Sequence, residues 1–335
     1  MYREDEKQFG ETTGVGNYKL NYTLSLKQKE ASEFILTNIK AKQDCLLSAV
    51  TGAGKTEIIY PLISFCVNSG IKVAIAIPRK DVVIELYNRI NNDFKESNVV
   101  AVYGGNNEIL YGDVVICTTH QLYRYRKYFD VIVIDEVDAF PFYKNKILEN
   151  FLYRSLKGNV VYMSATIPKE LFEKCENIYF LNKRYHNESL DVPMLSYKCN
   201  FRYLNRIVKN HKKGFLIIYF PTIKLEMKYH HKLNKEHYVI NSKTINREEI
   251  LKELHQKENA IVLSTLVLER GVTFKDTNVV VYFADHELFN SNNLVQISGR
   301  VGRHYLYPHG RIIFLIKRKT KSIKSAIAFI KKCNE

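Results

Sequence analysis

The chain has 335 residues, of which 46% are hydrophobic and 25% charged. This length suggests about two domains, and this composition excludes a wholly disordered chain. No apolar run reaches the ~18 residues of a membrane-spanning helix, and the first residues lack the apolar stretch of a secretion signal. The net charge of +15 arises entirely in residues 181–335, since residues 1–180 hold 22 basic and 22 acidic residues. A basic second half favours binding to a polyanion. The alternative is that the basic surface only keeps the chain soluble.

In chain order, the first half alternates short apolar runs with segments of helical length. The predicted strands span residues 45–50, 73–77, 98–103, 113–118, 129–134 and 159–164. These runs are nearly all apolar rather than alternating, which is typical of parallel strands buried on both faces. The predicted helices between them include residues 55–69 and 80–91. Together they predict an α/β domain in which helices flank a mainly parallel sheet.

The same pattern restarts in the second half, after a polar stretch that contains Pro193. The second set of predicted strands spans residues 215–220, 238–241, 260–264, 278–283 and 311–316. Its predicted helices span residues 223–233, 247–255 and 322–332. We therefore predict an extension over residues 1–23, a first domain over 24–182, a linker over 183–200 and a second domain over 201–335.

A glycine-rich segment at residues 49–56 reads AVTGAGKT and joins a predicted strand to a predicted helix. That context is typical of a phosphate-binding loop, in which glycines let backbone amides approach phosphate oxygens. Lys55 would reach the β- and γ-phosphates, and the Thr56 hydroxyl would bind Mg²⁺. The predicted phosphate-loop contacts are Gly52, Ala53, Gly54, Lys55 and Thr56. The alternative is a glycine-rich turn that contains GKT by chance.

An acidic cluster follows a buried strand at residues 131–138, which read VIVIDEVD. Carboxylates at the carboxyl end of a parallel strand face the ligand crevice of such a sheet. Asp135 is placed to hold Mg²⁺, and Glu136 is placed to orient and deprotonate an attacking water. The alternative is a solvated acidic turn.

A third cluster, QISGRVGR at residues 296–303, lies in the second half. Its two arginines are three residues apart, which predicts that they share one face of a helix. Arg300 and Arg303 would supply positive charge to the transition state of phosphoryl transfer, as arginine fingers. The alternative is a pair of solvated surface arginines.

These three clusters, in this order, resemble those of superfamily 2 helicases and translocases of the DEAD/DEAH-box-like type. The resemblance implies two tandem RecA-like domains that hydrolyse ATP with Mg²⁺. It implies that the catalytic residues are Lys55, Glu136, Gln296, Arg300 and Arg303. Further implied nucleotide contacts are Gln28, which would read adenine, with Gly271 and Thr273. The implied nucleic-acid contacts are Arg79, Thr118, Thr119, His120 and Thr265. The implied residues that couple hydrolysis to domain movement are Asp138, Ser164 and Thr166.

Five extended blocks narrow the resemblance to the ComFA family of late-competence ATPases. They are PRKDVVIEL from residue 78, TTHQLYRY from 118, DEVDAFPF from 135, LERGVTF from 268 and LVQISGRVGR from 294. This resemblance implies a cytoplasmic ATPase, stimulated by single-stranded DNA, at the inner face of the membrane. It also implies a role in the uptake of transforming DNA with other competence proteins as partners.

The family usually carries a four-cysteine zinc module ahead of the helicase core, and we expect no zinc in this chain. Its six cysteines lie far apart in sequence, without a CxxC pair, and are expected to be reduced thiols. Two other functions stay open. One is a helicase with another task, such as replication restart, RNA remodelling or a phage or mobile-element function. The other is a non-catalytic, nucleotide-gated DNA-binding scaffold. Five intact residues argue against it, namely Lys55, Asp135, Glu136, Arg300 and Arg303.

Overall fold

The computed structural model describes residues 14–20, 22–106, 108–268 and 274–335. The chain divides into two compact units, the first ending at Tyr185 and the second starting at His186. Each unit is built on one parallel sheet with helices between its strands. The predicted fold class is therefore confirmed.

The first unit contains a seven-stranded sheet. Its strands are β1 (Cys45–Ala49), β2 (Val73–Ile77), β3 (Val99–Val102), β4 (Val114–Thr118), β5 (Phe129–Asp135), β6 (Leu156–Ser164) and β7 (Ile178–Leu181). They lie in the order β3-β4-β2-β5-β6-β1-β7, and every neighbouring pair is parallel. Because β5, β6 and β1 are neighbours, the segments that follow them meet at one edge of the sheet.

Among the described residues of this unit, one helix precedes β1 and the others lie between the strands. The helices are α1 (Leu26–Lys40), α2 (Lys55–Ile58), α3 (Tyr60–Asn68), α4 (Lys80–Asp93), α5 (Lys146–Ser155) and α6 (Lys169–Lys174). A 3-10 helix, Thr119–Arg124, follows β4. The prediction of one helix over residues 55–69 was wrong, because two helices meet at Ile59. Pro61 has no N–H to continue the helical ladder, which explains the break.

The second unit contains a six-stranded parallel sheet. Its strands are β8 (Met194–Ser196), β9 (Phe215–Tyr219), β10 (Tyr238–Ile240), β11 (Ala260–Ser264), β12 (Thr277–Tyr282) and β13 (Ile312–Leu315). They lie in the order β10-β11-β9-β12-β13-β8. Its helices are α7 (Phe201–Asn210), α8 (Ile223–His230), α9 (Arg247–Gln256), α10 (Ser291–Ser298) and α11 (Lys321–Asn334).

The segment predicted as a linker, residues 183–200, contains strand β8. This strand pairs in parallel with β13 at the edge of the second sheet. With three residues, two of them half-buried and one exposed, it leaves no apolar run that a sequence pattern could reveal. Part of the predicted linker therefore belongs to the second unit.

Buried aliphatic and aromatic side chains hold both sheets in place. In the first unit, Tyr125 and Phe129 pack with ring centroids 4.6 Å apart, within a buried hydrophobic cluster that includes residues of β5. In the second unit, Phe215 and Phe274 stack 4.4 Å apart. The six cysteines are all free thiols, five of them buried, and burial raises the pKa of the Cys117 thiol to about 12. Thiols with raised pKa values are inert, so these cysteines are packing residues.

One carboxyl group is fully buried in the second unit. Glu226 lies in α8, and its Oε2 accepts a hydrogen bond from Asn241 Nδ2 at 2.6 Å, just after β10. Burial raises the pKa of Glu226 to about 7, although the bond from Asn241 lowers it. A protonated carboxyl avoids the cost of a buried charge, so Glu226 stabilises this helix–strand contact best when it is neutral.

The stability of the second unit is expected to fall as pH rises through about 7. A group whose folded pKa exceeds its unfolded value contributes stability that is complete below the unfolded value and lost as pH rises through the folded one. We expect this to lower the free energy of unfolding by roughly 1–3 kcal/mol between pH 5 and 8, and Glu226→Gln to remove that dependence. Urea unfolding at both pH values tests this, with exposed Glu258→Gln as the control. An unchanged pH slope in Glu226→Gln would contradict it.

Candidate active site

The glycine-rich loop between β1 and α2 has the backbone that its sequence predicts. Gly52 and Gly54 have φ angles of 81° and 77°, in the left-handed region that favours glycine. A Cβ atom at Gly54 would lie 2.4 Å from Gln28 Nε2 and 3.3 Å from Glu57 Oε2. Only glycine therefore fits at position 54, and the loop's backbone stays open to a ligand such as phosphate.

Gln28 fastens helix α1 to this loop. Its Oε1 accepts a bond from the Ser25 backbone N–H at 2.9 Å, as part of a capping box, and its Nε2 donates to the Ala53 carbonyl at 2.9 Å. The side chain is 2% exposed. Its amide keeps one N–H and one lone pair for a further bond, so the predicted adenine contact would require this buried group to become accessible.

Lys55 and the acidic cluster lie together at the edge of the first sheet. Lys55 Nζ is 3.8 Å from Asp135 Oδ1, which also accepts a bond from the Glu136 N–H at 2.9 Å. Glu136 has a φ of 57°, an uncommon conformation for a residue with a side chain. Such conformations cluster at functional sites, and here it turns the chain directly after β5.

The residues predicted to hold Mg²⁺ fit that ion in their chemistry. Thr56 and Asp135 are half-buried and offer a hydroxyl and a carboxylate, the hard oxygen donors that Mg²⁺ prefers. Within the described ranges, no group of three or more His, Cys, Asp or Glu side chains could hold a metal. Mg²⁺ is commonly bound by one or two protein oxygens, with phosphate oxygens and water as its other ligands, and a hydroxyl and a carboxylate suit that arrangement.

A hydrogen-bonded network joins the acidic cluster to the end of β6. The two carboxylate oxygens of Asp138 accept bonds from Ser164 Oγ at 2.6 Å and from Thr166 Oγ1 at 2.7 Å. All three side chains are buried. The structure thus brings together the three residues predicted to couple hydrolysis to movement.

A second polar cluster beside the loop, around one buried carboxylate, was missed in the sequence. Glu57, 3% exposed, accepts a bond from Tyr22 Oη at 2.6 Å and forms an ion pair with Arg89. Its signal in the sequence was an acidic residue directly after GKT and just before the apolar run that starts at Ile58. Its partners lie 35 and 32 residues away and cannot be read from the sequence.

The residues predicted to contact nucleic acid differ in their exposure. His120 is exposed and Arg79, the N-cap of α4, is half-buried, so both can reach a ligand. Thr118, Thr119 and Thr265 are buried, and Thr119 is fully so. Their hydroxyls are packed within their own units and offer little surface to a strand.

The two arginines of the third cluster do not share a helix face as predicted. Helix α10 ends at Ser298, and both arginines lie beyond it. Gly299 caps the helix and Gly302 has a φ of 70°, which turns the chain. Gln296 and Arg300 are buried, and Arg303 Nε donates to the Gly299 carbonyl at 2.9 Å.

Gly271 and Thr273, predicted to contact the nucleotide, lie outside the described residues. Over the part of the chain that the structure covers, no helix is long and apolar enough to span a membrane.

Two family models match the two units. Residues 26–173 match the model described as DEAD/DEAH box helicase, and residues 199–305 match the Helicase conserved C-terminal domain. The first range lies inside the predicted first domain, whereas the second begins two residues before the predicted second domain, at the end of the predicted linker.

Two bacterial proteins are similar over most of the chain. The competence protein ComFA of Bacillus subtilis (strain 168) is 34% identical over 336 residues, which cover 93% of this chain and 72% of that protein. ComFA of Streptococcus pneumoniae (strain ATCC BAA-255 / R6) is 34% identical over 331 residues, which cover 92% of this chain and 76% of that protein.

Solved helicase structures share the fold. The DEAD-box helicase Mss116 bound to ssRNA and UDP-BeF has a TM-score of 0.69 at 18% identity, covering 92% of this chain and 77% of that one. S. cerevisiae Dbp5 bound to RNA and ADP BeF3 has a TM-score of 0.66 at 15% identity, covering 92% of this chain and 91% of that one. RecG bound to a three-way DNA junction has a TM-score of 0.63 at 20% identity, covering 95% of this chain and 48% of that one. The prediction from the sequence blocks is confirmed: the chain belongs to the ComFA family of superfamily 2 and is an ATP-dependent helicase.

Proposed function

We propose that this helicase is stimulated by single-stranded DNA, along which it moves during the uptake of transforming DNA. The observation that carries the proposal is the network of Asp138, Ser164 and Thr166. It links the strand end that bears the candidate catalytic carboxylates to the segment after β6. Such a link allows events at the nucleotide to change the packing of the rest of the unit.

In the proposed mechanism the first unit binds ATP. The loop amides and Lys55 hold the phosphates, while Glu136 orients the attacking water and accepts its proton. Thr56 and Asp135 would hold Mg²⁺, which neutralises charge on the phosphates when bound. Gln28 would recognise adenine through the remaining N–H and lone pair of its side-chain amide.

The second unit would complete catalysis. We assign Gln296 to the placement of the γ-phosphate and water, and Arg300 and Arg303 to the charge of the transition state. Gly271 and Thr273 would add nucleotide contacts. Hydrolysis would then require closure of the two units, and repeated closure and release would move the strand.

Positive charge supports the DNA part of the proposal. The net charge of +15 arises in residues 181–335, and such a surface attracts a phosphate backbone by releasing its counterions. Arg79 and His120 are the accessible candidates for backbone contacts in the first unit. The hydroxyls of Thr118, Thr119 and Thr265 would reach the strand only after a change in packing.

The cellular role is proposed from the family. We propose that the protein acts at the cytoplasmic face of the membrane, beside other competence proteins. There it would meet the incoming DNA strand as that strand enters the cell. Helicases with other tasks share the same fold, so the nature of the stimulating polymer is the property that separates these roles.

Steady-state ATPase assays test the proposal directly. We expect single-stranded DNA to stimulate turnover more than duplex DNA or RNA of equal length. The concentration of DNA for half-maximal stimulation should rise by orders of magnitude between about 50 and 200 mM salt, since several phosphate contacts release counterions. A preference for RNA would contradict the competence role, and hydrolysis that no polymer stimulates would contradict the motor.

A further inference from the structure

A short segment after the acidic cluster exposes aromatic side chains. Residues 139–146 read AFPFYKNK, and we call them the aromatic segment. Phe140 is 87% exposed and Tyr143 is 38% exposed, whereas Phe142 is buried and anchors the segment. A phenylalanine exposed to this extent contributes almost nothing to the fold, so its side chain is available to a ligand.

Basic side chains accompany these rings. Lys144 Nζ lies over the Tyr143 ring, 5.2 Å from its centroid, and Lys146 is exposed at the start of α5. Residues of the segment line a cavity of about 490 Å³, to which Lys174 also contributes. Exposed rings can stack on the bases of a single strand, and lysines beside them can contact its phosphates.

The aromatic segment is connected to the candidate catalytic residues. Its first residue, Ala139, donates its N–H to the Glu136 carbonyl at 2.8 Å. It directly follows Asp138, whose carboxylate binds Ser164 and Thr166. A displacement of the segment would therefore act on the turn that positions Glu136.

The other end of the segment leads to a candidate contact for the DNA backbone. Helix α5 packs against the 3-10 helix Thr119–Arg124, which contains His120. In that contact the rings of Tyr123 and Phe151 lie 6.0 Å apart. The aromatic segment thus lies between the candidate catalytic turn and a segment proposed to touch the strand.

We propose that Phe140 and Tyr143 stack on bases of single-stranded DNA and transmit the presence of the strand to Glu136. This inference rests on the proposed function. Stacking on aromatic rings is tolerant of sequence, and a duplex, whose bases are already stacked, offers no free base face. The segment would therefore distinguish single strands from duplexes without reading sequence.

Tryptophan fluorescence can observe this stacking, because the chain has no tryptophan. In the Phe140→Trp variant, the indole at position 140 is expected to be quenched as oligo-dT binds. Anisotropy of a labelled oligo-dT would measure binding in the same titration. The matched control is Phe180→Trp, at a phenylalanine of edge strand β7 that is 54% exposed, where we expect no quenching.

A second variant tests the coupling. Phe140→Ala should leave basal ATPase activity unchanged and raise the oligo-dT concentration for half-maximal stimulation by about 5- to 100-fold, as loss of one stacked base predicts. Phe180→Ala should leave both unchanged. Binding by anisotropy without quenching at position 140, or normal stimulation of Phe140→Ala, would overturn the inference and leave the proposed function intact. No binding of oligo-dT by the unsubstituted chain would overturn both.

Discussion

Replacing Glu136 with glutamine is expected to reduce ATP turnover by about 10²–10⁴-fold and to leave nucleotide binding nearly unchanged. Glutamine keeps the size of the side chain and can still hold a water, but it cannot accept a proton from it. The backbone of this residue is fixed after β5 in a left-handed conformation, with a φ of 57°. The substitution therefore changes the chemistry of the group rather than its position.

Two measurements on this variant separate binding from chemistry. Steady-state ATPase assays should show the loss, and titration with a fluorescent nucleotide should give an affinity within about twofold of the unsubstituted chain, because the residue binds no phosphate in our assignment. Glu176→Gln, an exposed residue of the same unit, is the control. Retained turnover would remove Glu136 from the role of base.

Replacing Lys55 with alanine is expected to weaken nucleotide binding by about 10²-fold, since bonds from a charged donor to phosphates contribute roughly 1.5–3 kcal/mol each. A second effect adds to this loss. Lys55 Nζ lies 3.8 Å from Asp135, and its removal leaves the carboxylates of the acidic cluster without that cation. The uncompensated negative charge would repel the incoming phosphates.

Equilibrium titration with a fluorescent nucleotide measures this effect. Lys29→Ala removes an exposed lysine of helix α1 and serves as the matched control. A Lys55→Ala variant with the affinity of the control would show that the phosphates are held elsewhere. Lys55→Arg tests geometry, because a guanidinium keeps the charge but not the compact shape of the ammonium group.

Much of the sheet topology could be anticipated, because buried parallel strands are uniformly apolar. Strand β2 and strand β11 begin and end where the sequence pattern predicted. Strand β8 was missed because three residues at a sheet edge carry no pattern. The two arginines were wrongly predicted to lie on a helix. Their three-residue spacing suggested one, but Gly299 and Gly302 end the helix and turn the chain there.

The candidate site was predictable only where its residues are adjacent in sequence. GKT and DEVD each lie in one short segment, and the parallel sheet brings the two together. The bonds of Glu57 to Tyr22 and Arg89, and that of Gln28 to Ala53, depend on tertiary packing. The exposure of Phe140 likewise became visible only when its buried neighbours were known.

Arg89 offsets the negative charge of Glu57 beside the glycine-rich loop. A carboxylate that is 3% exposed and lies against the loop glycine would, without its partner, oppose the positive field that the amides and helix α2 offer to an anion. Arg89 cancels that charge from helix α4, an element that follows a different strand. We therefore expect the affinity of the loop for phosphates to depend on both α2 and α4. Helix α4, whose N-cap is Arg79, also leads to the face proposed for DNA.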